Sequence, residues 1–413
     1  MFPEGVGPFA MVPHPPMPPQ AFIKPYLMTA GPTPLPPRVQ SVMAEPILYH
    51  RAPAFDELFA RVCARLPAVF QSANDVLVFA ASGSGAMESA VANLVRPGQP
   101  VLACAAGKFG ERWIELGEAY GADLQRYEPG WGARLDPGEI DRRLGEHDSV
   151  EVVFATLSET STGVVHDIRA IAEVTRAHDA MLVVDAVSGL GAAELRQDDW
   201  GVDVVVTGSQ KALMTPPGLG LVSASQRALD FAAARPGGRY YFDWARTAAE
   251  VRKDSPATPF TPPVTLIAAL DVALEMIEEE GLENTLERHA LLGRATRAGA
   301  GAMGLERFGD PDERANVVTA IQLPESIDGG RVPALLRDRY GITANGGQGR
   351  LKGRILRIAH CGYFGGFDIL ISLAGLELVL RELGAEVELG AGVGAAQQVF
   401  LEAGVPVAAR SGA

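Results

Sequence analysis

Five short runs of aliphatic and β-branched residues recur through the first half of the chain, at 76–80, 101–104, 152–156, 181–184 and 204–206. None carries a charge, and none alternates apolar with polar residues. A strand wetted on one face would alternate, so these runs read as strands buried on both faces. Helical patterns lie between most of them, and strands separated by helices pair in parallel with the helices layered above and below. The expected fold is α/β, a mainly parallel sheet between helices, with 219–224 adding one more strand. Sheets of this kind bind ligands at the C-terminal edge of their strands, so the residues just past each run are where chemistry is sought.

At 413 residues and 47% apolar content the chain exceeds one ordinary domain. Two long helical patterns, 264–280 and 282–303, lead into a second domain. Its elements are a run at 317–323, a helix at 332–339, a run at 355–358 and a helix at 368–383. Residues 1–20 are rich in proline and glycine and read as a flexible arm. Gly31 to Pro37 forms a rigid turn, a helix begins at 38–43, and Tyr49-His50-Arg51 precedes an amphipathic run at 55–70. The expected organisation is the arm, an N-terminal segment 21–44 packing with the small domain, a large domain 45–280, a small domain 281–385 and a glycine- and alanine-rich tail 386–413.

The net charge of −14, from 36 basic and 50 acidic residues, argues against nucleic acid or an anionic membrane as the main partner. Cys63, Cys104 and Cys361 are far apart, which argues against a disulfide framework or a zinc site and fits a reducing cytoplasm. The seven histidines show no metal spacing, so no metal is expected. No basic segment followed by an apolar core opens the sequence, and no window has the uninterrupted apolar length of a membrane span. The expectation is a cytoplasmic protein.

Four positions carry candidate chemistry. Lys211 follows the valine run 204–206 through Thr207-Gly208-Ser209-Gln210. A lysine just past a buried strand loses water, its pKa falls, and its amine can condense with an aldehyde. Alone, the commoner reading is a surface lysine at the end of a strand. Asp185 closes the run 181–184, and only residues 187–203 separate the two strand ends, so both side chains can face one crevice. A carboxylate beside a heteroaromatic nitrogen keeps that nitrogen protonated. Ser82-Gly83-Ser84-Gly85-Ala86 follows the first strand and opens a helix, where backbone N–H groups can close on an anion; a plain strand-to-helix turn has the same look. Phe109, after the second strand, can lie over a flat ring, or simply pack in the core. Phosphate cradle, ring stacker, acid for a ring nitrogen and Schiff-base lysine together describe pyridoxal 5′-phosphate.

With these residues in place, the chain resembles the class V aminotransferases of pyridoxal-phosphate fold type I, nearest the alanine/serine–glyoxylate/pyruvate branch. The resemblance runs from about 27 to 383. It rests on Gly31-Pro32, Ser82 to Gly85, Glu159-Thr160-Ser161-Thr162-Gly163, Val184-Asp185-Ala186-Val187-Ser188, Gly208-Ser209-Gln210-Lys211-Ala212, Thr261-Pro262-Pro263 and Leu356-Arg357-Ile358. It implies a large domain with a mainly parallel seven-stranded sheet and a smaller α+β C-terminal domain. Carried over, Lys211 is the lysine that bonds the cofactor and shuttles the proton, and Asp185 is the partner of the pyridine nitrogen. Val187 lies under the ring, Phe109 stacks on it, and Thr160 approaches its phenolic side. Ser84, Gly85, Ala86 and Gln210 contact the phosphate. Thr261 matches a phosphate contact that relatives supply from the other subunit, which implies a homodimer with shared sites; Thr258 stands where relatives often have a tyrosine.

Arg357 matches the arginine that binds the substrate's α-carboxylate, a role suited to a planar fork. Gly31, His50 and Arg51 complete the expected substrate pocket, with Tyr240 and Tyr241 beside them, and the loop 345–349 is flexible enough to close over substrate. The implied reaction moves an amino group from alanine or serine to glyoxylate or pyruvate. If Arg51 faces the pocket, aspartate or phosphoserine becomes the alternative donor. A cysteine desulfurase needs a mobile cysteine ahead of Arg357, and residues 338–356 hold none. A cofactor-sensing regulator needs a DNA-binding domain, for which the proline-rich N-terminus leaves no room. A nicotinamide enzyme needs a third glycine where Glu88 stands.

Overall fold

The structure, a computed structural model, describes residues 24–404 apart from 236 and 313. The proline-rich arm therefore lies outside the described residues. Seven strands form the main sheet: β1 (Val76–Ala80), β2 (Pro100–Cys104), β3 (Asp123–Tyr127), β4 (Val152–Thr156), β5 (Met181–Asp185), β6 (Val204–Gly208) and β7 (Leu219–Ala224). Their order is β1-β7-β6-β5-β4-β2-β3. Neighbours run parallel except β7, which is antiparallel to both β1 and β6.

Alternate residues of the valine-rich runs feed two separate cores, as the two-residue period of a strand requires. Val153, Ala155, Leu182, Val184 and Val205 pack with Phe59, Phe70 and Ile267 on one face. Val152, Phe154, Met181, Val183, Val204 and Val206 pack with Met87, Trp113 and Trp244 on the other. β3 has no counterpart in the sequence reading. Its residues Asp123-Leu124-Gln125-Arg126-Tyr127 lie at the sheet's edge and are mostly part-exposed, where charge guards an unpaired ladder.

The smaller C-terminal domain is built on an antiparallel sheet in which Ile355–Ala359 lies between Val318–Gln322 and Asn345–Gly346. The loop expected at 345–349 thus begins as a strand. Helices Leu282–Ala302, Val332–Tyr340 and Gly366–Glu382 cover this sheet. A further helix, Ala391–Ala403, lies in the stretch read as a tail. Glycine and alanine there serve close packing: a Cβ on Gly299 would approach Gly392 O to 2.9 Å, and Phe400 is buried. The Glu377 carboxylate fixes the start of this helix by accepting from Gly390 N, Gly392 N and Val393 N.

The N-terminal segment joins the two layers. Tyr26–Leu27 pairs in parallel with Ile342–Thr343, whereas Pro37–Met43 packs through Val39 on Ala269 and Ala273 of the helix Val264–Glu280. No helix among the described residues is long and apolar enough to cross a membrane.

Candidate active site

Three glycines bring the start of helix Gly83–Leu94 against the ends of β5, β6 and β7. A Cβ on Gly83 would come within 2.6 Å of Val187 Cγ2, one on Gly208 within 3.1 Å of Gly83 N, and one on Gly220 within 3.0 Å of Ser82 O. Ser82 caps the helix, its Oγ accepting from Gly85 N at 3.4 Å, and Ala86 N donates to Ser82 O. The N–H groups of Gly83 and Ser84 precede the first intrahelical acceptor and point out of the helix, as an anion requires. Beside them, Gln210 Oε1 is buried without a hydrogen-bond partner among the described residues.

Lys211 lies three residues past β6 and is 9% exposed. Its Nζ donates to Ala30 O at 2.6 Å. A Cβ on Gly31 would overlap the lysine's Cε and Nζ, so only glycine lets the strap 28–33 lie across it. Thr33 ties strap to loop, Oγ1 donating to Lys211 O and N to Gln210 O. Burial pushes the Lys211 pKa down; the Cys361 thiol and Asp185 oppose this, and Arg357 and Arg112 add to it.

Asp185 ends β5, with Thr156 of β4 and Val206 of β6 opposite it. Its Oδ1 accepts from Val187 N at 2.8 Å, the one hydrogen bond to this carboxylate among the described residues. Burial raises its pKa to about 7, with the Val187 N–H pulling the other way and Glu159 adding to the rise. An acid this short of donors lacks a cationic partner. Between about pH 4 and pH 7 the folded protein holds the Asp185 proton that the unfolded chain has released, so this group's contribution to stability falls as pH rises through that window. Buried His166, His289 and His360, all pushed down by burial, act oppositely but equally in a variant. The stability of Asp185→Asn relative to wild type, both without added ligand, should therefore grow by about 3 kcal/mol from pH 4.5 to 8 in urea titrations. A pH-independent difference would show that Asp185 is already ionised in the fold at pH 4.5.

Glu159 organises the side facing Asp185. It is fully buried, and its Oε2 accepts from Phe109 N and Gly110 N while Oε1 accepts from Ser161 N and Oγ. These bonds cap the helix Lys108–Ala119 and fix Phe109 at its start. Trp113, stacked on Phe154 and donating to Ala155 O, anchors the same helix to the sheet. The adjoining Thr160 donates its hydroxyl to Ser188 Oγ at 2.8 Å. Thr160 O accepts from Arg357 Nη1 at 3.0 Å, and Gly346 O accepts from Arg357 Nε at 3.0 Å. Arg357 is buried, which lowers its pKa to about 10, with Glu159 opposing; its Nη2 has no partner among the described residues.

Lys211, Asp185, Val187, Gln210, Thr160, Phe109, Arg357, Gly31 and the cradle Ser84-Gly85-Ala86 are thus gathered along one sheet edge. His50, Arg51 and Thr261 are not part of this cluster within the chain. Arg51 and Thr261 are exposed, and His50 contacts the ring of Tyr49. Thr258 is spent on Phe260 O. Cys361 is buried, and burial pushes its thiol up to about 11, the opposite of a mobile nucleophile. The sequence reading missed three participants: Glu159 as the cap that places Phe109, Ala30 O as the lysine's acceptor, and Arg112, which donates to Ser84 Oγ at 3.0 Å.

The Aminotransferase class-V family matches residues 25–352. The chain is 40% identical over 381 residues to a Synechococcus protein named soluble hydrogenase, small subunit, covering 91% of this chain and 98% of that one. It is 35% identical over 390 residues to the serine–glyoxylate aminotransferase of Methylorubrum extorquens, covering 91% and 96%. The crystal structure of ureidoglycine–glyoxylate aminotransferase from Bacillus subtilis matches with a TM-score of 0.87 at 34% identity, covering 92% of this chain and 100% of that one. A family match over most of the chain, on the fold just described, shows that the chain belongs to the class V aminotransferases, enzymes that work with pyridoxal 5′-phosphate.

Proposed function

We propose that this enzyme is a homodimeric, cytoplasmic transaminase that moves an amino group from a small L-amino acid, alanine or serine, to glyoxylate or pyruvate. The observation that carries the reading is a desolvated lysine, a buried carboxylate with one donor and a buried guanidinium with a free end on one sheet edge. Pyridoxal 5′-phosphate fits these residues. The glycine-lined cradle of backbone N–H groups lies beside Gln210, whose side-chain amide can turn its Nε2–H toward a phosphate oxygen, and Asp185 lacks the cation that a protonated ring nitrogen provides. When bound, the cofactor supplies an aldehyde for condensation with amines and a ring that withdraws electrons.

In this reading the helix 83–94 start and Gln210 hold the phosphate, Val187 and Phe109 enclose the ring, and Thr160 meets the phenolic oxygen. Asp185 holds a proton at the ring nitrogen. Arg357 grips the substrate carboxylate with its free nitrogen, Gly31 leaves room beside Lys211, and Lys211 Nζ, whose pKa burial lowers, removes and returns the proton at the substrate's Cα. His50, Arg51 and Thr261 enter the partner's site across the dimer. Ile47 at 73% exposure, Tyr49 at 64% and Tyr240 at 72% support such an interface, because apolar surface of this extent marks contact sites.

The serine–glyoxylate and ureidoglycine–glyoxylate relatives support glyoxylate as acceptor. The hydrogenase name of the Synechococcus relative finds no support in these side chains, whose chemistry is amine and carboxylate binding. The test is the visible spectrum of the purified protein with alanine, serine, aspartate, phosphoserine or cysteine added singly. Alanine or serine should bleach a yellow chromophore that glyoxylate or pyruvate restores, in a species sedimenting as two chains. Bleaching by aspartate or phosphoserine alone would replace the donor, and a protein that stays colourless with the cofactor supplied would refute the reading.

A further inference from the structure

We propose that Arg112 supplies the full positive charge of the phosphate cradle, an inference that rests on the cofactor reading above. Arg112 stands one turn into the helix Lys108–Ala119 and is half-buried. Its Nη1 donates to Ser84 Oγ at 3.0 Å, and its guanidinium lies over the Phe109 ring, 5.1 Å from the centroid. Ser84 is the second residue of helix Gly83–Leu94, so the guanidinium stands at the mouth of the cradle. No carboxylate pairs with it among the described residues. A guanidinium has five donors in a fixed fork, and one hydroxyl leaves it far from satisfied.

Charge balance gives this cation its use. A phosphate monoester carries nearly two negative charges at neutral pH, whereas a helix start offers roughly half a positive charge. The neighbouring helix cannot make up the difference, because the Glu159 carboxylate already occupies its N–H groups at Phe109 and Gly110. Lys211 is turned to Ala30 O and Arg357 to Gly346 and Thr160. Arg112 is the cation bonded to the cradle, and its planar fork matches phosphate oxygens. Phe109 braces the guanidinium from below, so the ring stacker and the countercharge come from one rigid helical turn. Arg112 also lowers the proton affinity of Asp185 and of Lys211, the directions that favour an ionised acid and a neutral amine.

The experiment compares pyridoxal 5′-phosphate with pyridoxal, which has a hydroxyl in place of the phosphate. Cofactor-free wild type, Arg112→Gln and Arg112→Lys, each checked for an unchanged circular dichroism spectrum, are titrated with both compounds and the bound chromophore is read by absorbance. Arg112→Gln should weaken the phosphorylated compound about tenfold to a hundredfold and leave pyridoxal within about twofold, with Arg112→Lys recovering part of the loss. Equal weakening of both compounds, as a packing role would give, overturns the proposal, and so does unchanged affinity for the phosphorylated compound. Wild type that binds neither compound contradicts the cofactor reading itself, and the proposal falls with it. If the variants do not fold, phenylglyoxal labelling of Arg112 in wild type serves instead. Inorganic phosphate should suppress it and pyridoxal should not; labelling indifferent to phosphate overturns the proposal.

Discussion

Lys211→Ala protein should fold as wild type does and transaminate at least about a thousandfold more slowly, because it loses both the covalent anchor and the acid–base group. The fold survives because the lysine's amine makes one hydrogen bond among the described residues, to Ala30 O, and its burial is itself unfavourable to the charged form. The strap remains fastened without that side chain, since Thr33 bonds the backbone at Gln210 and Lys211. Borohydride should fix the cofactor to the wild-type chain and fail to fix it to the variant. Activity within about tenfold of wild type, or fixation at another residue, would remove Lys211 from its assigned role.

The strand ends were legible because burial on both faces leaves runs without charge, and Asp185 is conspicuous as the charge that closes one such run and Lys211 as the first charge past another. The residues missed are those whose partners are distant in sequence. Arg112 stands between Glu111 and Glu115 on an amphipathic helix, where a cation normally serves as a solvated neighbour of acids. Only the approach of Ser84, brought near by Gly83 and Gly208, gives it another use. Glu159 stands out in the sequence only as the first residue of the motif Glu159 to Gly163; its role as a cap depends on a helix start about fifty positions earlier. The helix Ala391–Ala403 was hidden by its composition, since glycine and alanine mark a linker unless a second helix lies close against them.

Arg357 carries the second large effect, and its geometry states what the measurement must separate. Nε and Nη1 are spent on Gly346 O and Thr160 O, which orients the fork and leaves Nη2 for a substrate. Arg357→Gln should lower kcat/KM for alanine about a hundredfold, the loss appearing mainly in KM, because a charge-assisted bond to the carboxylate is removed. Arg357→Lys should recover little, since a point charge cannot hold both carbonyls and a carboxylate at once. The same substitution leaves the buried Thr160 carbonyl and the part-buried Gly346 carbonyl short of donors and lowers stability, so a rate loss alone does not assign the role. Discrimination between alanine and ethylamine, which lacks the carboxylate, does. Wild type should prefer alanine strongly, and Arg357→Gln should lose about a hundredfold of that preference while its slow reaction with ethylamine is unchanged. A variant that slows both amines alike would make Arg357 a strut for the strand Asn345–Gly346, and the carboxylate would have to be held elsewhere.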